Sequence, residues 1–464
     1  MRIGVVVDHP KRDLAGCVRI AYEVARRGHD AILLPHYEQG LEAPLLGLDA
    51  VLLNNARPHY LALAEGYRST HTMICVLDTE GGVLGEMGFN APARIAQRFR
   101  ESGIGHLVDL YLFWGQRLHD AFAEHSGLLA GRLRITGCPR YDICHATWRK
   151  TLDYPRRDFV LINTNFNAVN PLFASGRDAD RQPLRSQGVT DSEIESRYRA
   201  ARAVFDRLIP ALVALAARAP QRNFVLRPHP FERSDYYREA FAGRSNVVVD
   251  DTGDVMAVLS AAQCMLHVNC GTSVEATFLG VIPIAVEFAN NDVARGLNPL
   301  PARISHPVRS ASELDEALHR TEEISRSHPF DANYRAHIHP WFYENDGQAG
   351  ARVAEALVQM AESRGRAGAR KALGLSLMSG QKPPRAAQLA QGVLTQLMGS
   401  RATRAMRETL DPGRRHKRFD LAQVQGLLDR MALADPAPAQ ASAAGLRNPY
   451  SGHRLLSVRV ARPG

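Results

Sequence analysis

Cysteine is scarce in this chain, with Cys17, Cys75, Cys138, Cys144, Cys264 and Cys270 the only six among 464 residues. They are too few and too scattered for a disulfide framework, and reduced thiols are expected. Cys138/Cys144 and Cys264/Cys270 each have five residues between them and a histidine nearby, His145 or His267. Neither spacing fits a zinc knuckle, so buried structural thiols are the expectation. Long hydrophobic runs are missing too. The longest, Leu208 to Ala217, contains Pro210 and falls well short of the roughly 18 to 20 residues that span a bilayer. Ile3–Val7 is cut off by Asp8 before it reaches the length of a signal-peptide core, so a cytoplasmic location is expected. Also absent are a Gly-x-Gly-x-x-Gly after the first strand and a P-loop Gly-Lys-Ser/Thr, which demotes hydride transfer and P-loop phosphoryl transfer.

What is present is a globular composition, 45% hydrophobic, 23% charged and 7% aromatic, which excludes a wholly disordered or collagen-like chain. The charge is unevenly spread. Residues 363–464 hold 18 Lys/Arg against 5 Asp/Glu, a surplus of +13, whereas residues 1–362 hold 39 against 43. The main body is therefore slightly acidic, and nucleic acid is not an expected partner.

Short apolar runs bounded by turn residues predict strands at Arg2–Val7, Ala31–Leu34, Ala50–Leu53, Thr72–Leu77, Asp109–Phe113 and Leu133–Thr136. After the Pro/Arg-rich Tyr154–Arg157, a second series follows at Phe159–Asn163, Asn223–Arg227, Asn246–Val249, Cys264–Val268 and Ile282–Val286. A long helix, Asp191–Arg218, lies between its first two members. Alternation with helices implies parallel sheets. The expected fold class is thus α/β, two facing Rossmann-like domains with a C-terminal helical basic extension. Residues 1–154 form the first domain, 155–340 the second, 341–362 a helix crossing back to the first, and 363–464 the extension. Within it, Pro384–Leu410 reads as helix and the Ala/Pro-rich Met431–Gly445 as linker.

Such sheets bind ligands beyond the carboxyl ends of their strands, and the residues there carry the chemistry. Asp78-Thr79-Glu80-Gly81-Gly82 offers two carboxylates on a flexible turn, suited to general-base or nucleophilic work and equally to capping a helix. Asn165 sits in a polar cluster after the first strand of the second series. Arg227-Pro228-His229-Pro230 holds an arginine and a histidine in extended backbone, a pairing suited to a phosphate. Asn269-Cys270-Gly271-Thr272-Ser273-Val274-Glu275 places backbone N–H groups and hydroxyls at a helix start, again suited to phosphate, with Glu275 either reaching a ribose hydroxyl or simply a favourable first-turn acid. Asp178-Ala179-Asp180 has the form of a metal-binding pair but lies in a polar loop, and Asp250, Asp251 and Asp254 read as turn and cap residues. No metal is expected.

Asp78–Gly82, Ile135–Asp142, Leu161–Phe166, Leu226–Pro230, Asn269–Glu275 and Asn345-Asp346-Gly347 together resemble, in order, bacterial surface carbohydrate biosynthesis proteins of the GT-B glycosyltransferase fold. The likeness covers roughly residues 1–360. A wider similarity links the acidic-Gly turn and the His-Pro dipeptide to sialyltransferases and Kdo transferases. The resemblance implies a metal-independent transfer, with no cofactor beyond a nucleotide-sugar substrate, to a carbohydrate or lipid-linked acceptor. Asp78 or Glu80 would be the catalytic carboxylate. Asn165, Arg227, His229, Asn269, Gly271, Thr272, Ser273 and Glu275 would line the donor site. In the wider pattern two acids directly precede the glycine, whereas Thr79 precedes Glu80 here, which leaves both carboxylates in play. Alternatives are a nucleotide-sugar epimerase or glycerophosphotransferase of the same fold, and a non-catalytic scaffold. The basic residues of 364–464 suit peripheral contact with an anionic membrane or, equally, a solvated or oligomer-forming arm.

Overall fold

The computed structural model describes the chain apart from residues 83–84, 87–89, 173–180, 182–183, 186–188, 364–408, 410–412, 450–451 and 463–464. The chain divides into two units. The first comprises Met1–Gly82, Pro92–Thr151 and Trp341–Gly464, and the second Val83–Ala91 and Leu152–Pro340. Each is built on a twisted sheet, the α/β class expected from the sequence.

In the first unit, β1 (Arg2–Val7), β2 (Asp30–Pro35), β3 (Ala50–Leu53), β4 (Met73–Leu77), β5 (Leu110–Phe113) and β6 (Leu133–Ile135) run parallel. Their residues are almost all buried, as a sheet covered on both faces requires. The order β2-β1-β3-β4-β5-β6 reverses direction between β1 and β3, which makes the crevice beyond those two strands the topological switch point. The helix Pro10–Arg26 follows β1, with Pro10 preorganised in its first turn and the His9 side chain accepting from Lys11 N. Against it lies the helix Ala349–Ser363. The approach is close: a Cβ on Gly350 would stand 2.7 Å from Arg19 Cγ. Asp142 caps the incoming helix from outside, accepting from Ala349 N at 2.9 Å and Gly350 N at 2.8 Å.

The tail differs from expectation. Pro384–Leu410 lies outside the described residues except Thr409. Met431–Gly445 is not a linker: its start completes the helix Leu421–Ala434 and its end enters β13 (Ser442–Arg447). With β14 (Arg454–Ala461), β13 forms an antiparallel hairpin that adds to the β2 edge of the first sheet. Pairing, not composition, decides this. The edge amides of β2 find partners in β14, and the buried Glu42 carboxylate takes Leu456 N at 2.9 Å and Ser457 N at 2.8 Å. Tyr22 OH to Asp435 at 3.0 Å ties the preceding turn to the first helix.

The second unit carries β7 (Phe159–Asn163), β8 (Asn223–Arg227), β9 (Val247–Val249), β10 (Cys264–His267), β11 (Ile282–Val286) and β12 (His306–Val308) in the order β12-β11-β10-β7-β8-β9, all parallel. Its switch point lies between β7 and β10. The helix Asp191–Arg218 opens with a Thr190/Glu193 capping box and runs through Pro210. Its Phe205, Leu208 and Leu212 pack with Ile162, Leu226 and Leu266 in the core. The segment 83–91 belongs to this unit, where Glu86 pairs with Arg303 through both carboxylate oxygens.

Candidate active site

At the second unit's switch point, Asn163 ends β7 and donates from Nδ2 to Cys270 Sγ at 3.0 Å and Thr272 Oγ1 at 3.2 Å. It thereby fixes the helix Thr272–Leu279 to the neighbouring strand end. The chain leaves β10 by a sharp turn with Asn269 at φ +48°, a conformation asparagine tolerates better than most residues. Its amide is locked to Asn290 by bonds of 2.9 and 3.1 Å. His267 supports the turn, with Nδ1 facing Cys270 N at 3.3 Å and Nε2 facing Ser305 Oγ at 2.9 Å. Burial pushes this imidazole down to about 3, so it is neutral.

The other two loops meet on Glu232, which is 3% exposed. Its Oε1 accepts from Phe166 N at 2.6 Å and His229 N at 3.3 Å, and its Oε2 from Thr164 Oγ1 at 2.9 Å and from the Tyr237 hydroxyl. Burial raises this carboxyl above its usual range despite those donors. Glu232 thus holds the loop bearing exposed Asn165 against the loop bearing half-buried His229. Phe231 N donates to His229 Nδ1 at 3.3 Å, which leaves Nε2 as the ring's N–H donor.

The expected donor-site residues separate into two groups. Asn165, His229, Gly271 and Thr272 are exposed or half-buried beyond the strand ends. Arg227, Asn269, Ser273 and Glu275 are buried or already engaged within the unit. Arg227 is 5% exposed and turns its guanidinium to the carbonyls of Thr252 and Gly253, the latter at 2.6 Å. Asn269 is held by Asn290, Ser273 is wholly buried, and Glu275 is 5% exposed in the helix's first turn. Sequence reading missed Asn163 and Glu232, because the contacts by which they join separate loops span about 70 to 110 positions.

In the first unit the Asp78 side chain accepts from Glu80 N at 2.9 Å, so the turn is also self-capped. Arg57, reaching over from the end of β3, lies 2.8 Å from Glu80 Oε2 and 3.7 Å from Asp78 Oδ1. The two carboxyls respond oppositely. Burial dominates at Asp78, 12% exposed, and raises it. At Glu80, 56% exposed, desolvation pushes up but Arg57 prevails and holds it below its usual range. A pocket beside them reaches the β1/β3 switch point, with Asn54, Asp78, Thr79, Trp114 and Arg140 in its wall. Trp114 Nε1 is buried there without a hydrogen-bond partner. The glycines of the turn are closely packed. A Cβ on Gly82 would stand 2.4 Å from the Trp114 ring and 2.8 Å from Phe342.

Among the described residues no three His, Cys, Asp or Glu side chains converge as a metal ion requires. Asp178–Asp180 lies outside the described residues. Asp250 accepts from Thr252 N and Tyr154 OH, and Asp254 caps the helix Val255–Ser260. No described helix is long and apolar enough to cross a membrane.

No protein-family model matches the chain, and no curated protein matches it. Solved structures do. The wall teichoic acid polymerase TagF is 12% identical over 78% of this chain and 89% of its own, with a TM-score of 0.48. The UDP-GlcNAc 2-epimerase from Neisseria meningitidis bound to UDP-GlcNAc is 12% identical over 77% and 100%, with a TM-score of 0.46. The UDP-GlcNAc 2-epimerase from Methanocaldococcus jannaschii is 11% identical over 77% and 100%, also at 0.46. At such identities and scores the likeness concerns the chain trace and not the chemistry.

Proposed function

We propose that the protein is a nucleotide-sugar-dependent glycosyltransferase of surface polysaccharide biosynthesis, whose preferred donor is a CMP-linked keto-sugar acid and whose acceptor is a carbohydrate or lipid-linked saccharide. The observation that carries this reading is the strand-end turn itself, where Asp78, 12% exposed, lines a pocket at the switch point while the more exposed Glu80 pairs with Arg57 at 2.8 Å. The two carboxyls thus stand in different surroundings, one available as a base and one bearing charge against the arginine. In this reading Asp78 is the base. It takes the proton of the acceptor hydroxyl as that oxygen bonds to the anomeric carbon and the bond from that carbon to the nucleotide phosphate breaks. Glu80 stays ionised and orients Arg57. The donor phosphate lies on the second unit, where Nε2–H of His229 and the Thr272 hydroxyl at the helix start meet the charge released on departure. Asn165 stands beside them. No metal and no cofactor takes part.

The test is a panel of CMP-, UDP- and CDP-linked donors, with and without oligosaccharide acceptors. Asp78→Asn and His229→Ala should each lower turnover at least about a hundredfold with folding intact, while Glu80→Gln, which leaves the base in place, should lower it less. Near-normal turnover in Asp78→Asn refutes the assignment of the base. Conversion of the donor sugar without acceptor makes the enzyme an epimerase instead.

A further inference from the structure

The basic residues that follow the undescribed tail segment do not stand free. Lys417 Nζ lies 2.7 Å from Asp8 Oδ1 at the end of β1, and the same carboxylate takes Arg12 at 2.6 Å. Arg418 pairs with buried Glu38 at 3.4 Å, just past β2. Arg414 stacks 4.8 Å above the Tyr37 ring, with Lys417 5.5 Å from it. The turn therefore lies across the carboxyl ends of β1 and β2, the side of the sheet on which Asp78 stands. Arg12 connects the two, being near enough for its charge to favour the ionised form of both Asp78 and Glu80.

Docking alone does not require this charge. The tail is already fixed by the β14–β2 pairing, by Glu42 and by Tyr22. Yet Arg12, Arg414, Lys417 and Arg418 converge here beside the carboxylates of Asp8, Asp13 and Glu38. Burial first, and then Arg12, Lys417 or Lys11, hold His9 down to about 3, His36 down to about 4 and His416 below its usual value. The Lys417 and Arg418 side chains are only 16% and 19% exposed. Cations that serve a lipid surface project outward, whereas these are drawn in toward the strand ends.

We propose that the basic turn 413–418 is a working part of the first unit's site: with Arg12 it forms a collar that recognises an anionic group, phosphate or carboxylate, carried by the acceptor. This rests on the reading of the first unit as the acceptor side. The turn supplies its own reporter, since trypsin cuts after its arginines and lysine. With full-length protein, glycerol 1-phosphate or trigalacturonate should slow cleavage within 414–418 at least about tenfold, and neutral maltotriose should not. Which anion protects tells phosphate from carboxylate. The Lys417→Gln/Arg418→Gln double variant, folded but with a lower melting temperature because Asp8 and Glu38 lose partners, should bind the protecting anion at least about tenfold more weakly.

Failure of both anions to protect the wild-type protein overturns the collar, whether or not the double variant folds. Protection by phosphatidylglycerol vesicles alone overturns it in favour of a membrane contact. Thermal shift with CMP and UDP separates the two readings. Nucleotide binding without anion protection removes the collar only, and anion protection without nucleotide binding removes the transferase assignment.

Discussion

Replacing Glu232 tests whether the two loops of the second unit are held by acceptor geometry or by charge. The carboxylate receives two backbone N–H groups on one oxygen and two hydroxyls on the other. In Glu232→Gln the amide oxygen can keep both N–H bonds, and its NH₂ can donate to the hydroxyl oxygens of Thr164 and Tyr237, whose protons rotate away. The charge assistance lost is then offset by relief of the carboxylate's desolvation, and the net cost stays below about 1–2 kcal/mol. In Glu232→Leu at least the two buried N–H groups lose their partner, each at about 1–3 kcal/mol, for a total of about 4 kcal/mol. That corresponds to roughly a thousandfold faster local opening. Hydrogen exchange of amides 164–170 and 229–233 measures it directly. Trp114, Trp148 and Trp341 all lie in the first unit, so their fluorescence is an internal control that should not change. The carboxyl is raised in the folded state, so its protonation stabilises the unit at low pH. That contribution is lost as pH rises through the raised value, and wild type should gain on Glu232→Gln only on the acid side. Exchange in Glu232→Leu equal to wild type refutes the hub, and Glu232→Gln as damaging as Glu232→Leu refutes the geometric account.

Two further expectations concern the first unit. Burial pushes Asp142 up to about 6 against Arg19 and the N–H groups of Gly350 and Ala349. Its stabilising proton is therefore present below the usual carboxylate range and lost as pH rises through about 6, a total of about 3 kcal/mol. The stability of wild type relative to Asp142→Asn, followed by tryptophan fluorescence in urea, should fall by about 2 kcal/mol from about pH 4.5 to about pH 7.5; a rise would refute the sign. Gly82→Ala drives a methyl into Trp114 and Phe342, at a cost of about 1–3 kcal/mol. A melting temperature unchanged by that substitution would show that the turn yields.

The strands were readable because buried parallel strands are short apolar runs closed by turn residues, and all eleven expected ones appear within one residue of their place. The helix Asp191–Arg218 was readable from its amphipathic length despite Pro210. The hairpin was not. Ser442–Arg447 is Ala- and Gly-rich, and only the β2 edge makes it a strand, although the alternation of Ser457, Arg459 and Ala461 with Val458 and Val460 was a signal that went unread. At the site, residue chemistry was legible but engagement was not. Arg227 and Asn269 have the right groups at the right strand ends, and nothing local reveals that Thr252 and Asn290 already hold them.

The hairpin on β2 also sets a timetable for synthesis. Residues 30–35 leave the ribosome more than 400 positions before the strand that covers their edge, which begins at Arg454. At about 5–20 residues per second that interval is roughly 20–85 s. The whole of the second unit, with its chain continuous from Leu152 to Pro340, emerges within it and can complete its own sheet. The first unit meanwhile presents an uncapped apolar strand, the kind of edge that pairs with other chains. Nascent chains close together on one messenger are thus most exposed to mutual pairing through Asp30–Pro35, and the arrival of β14 ends the hazard.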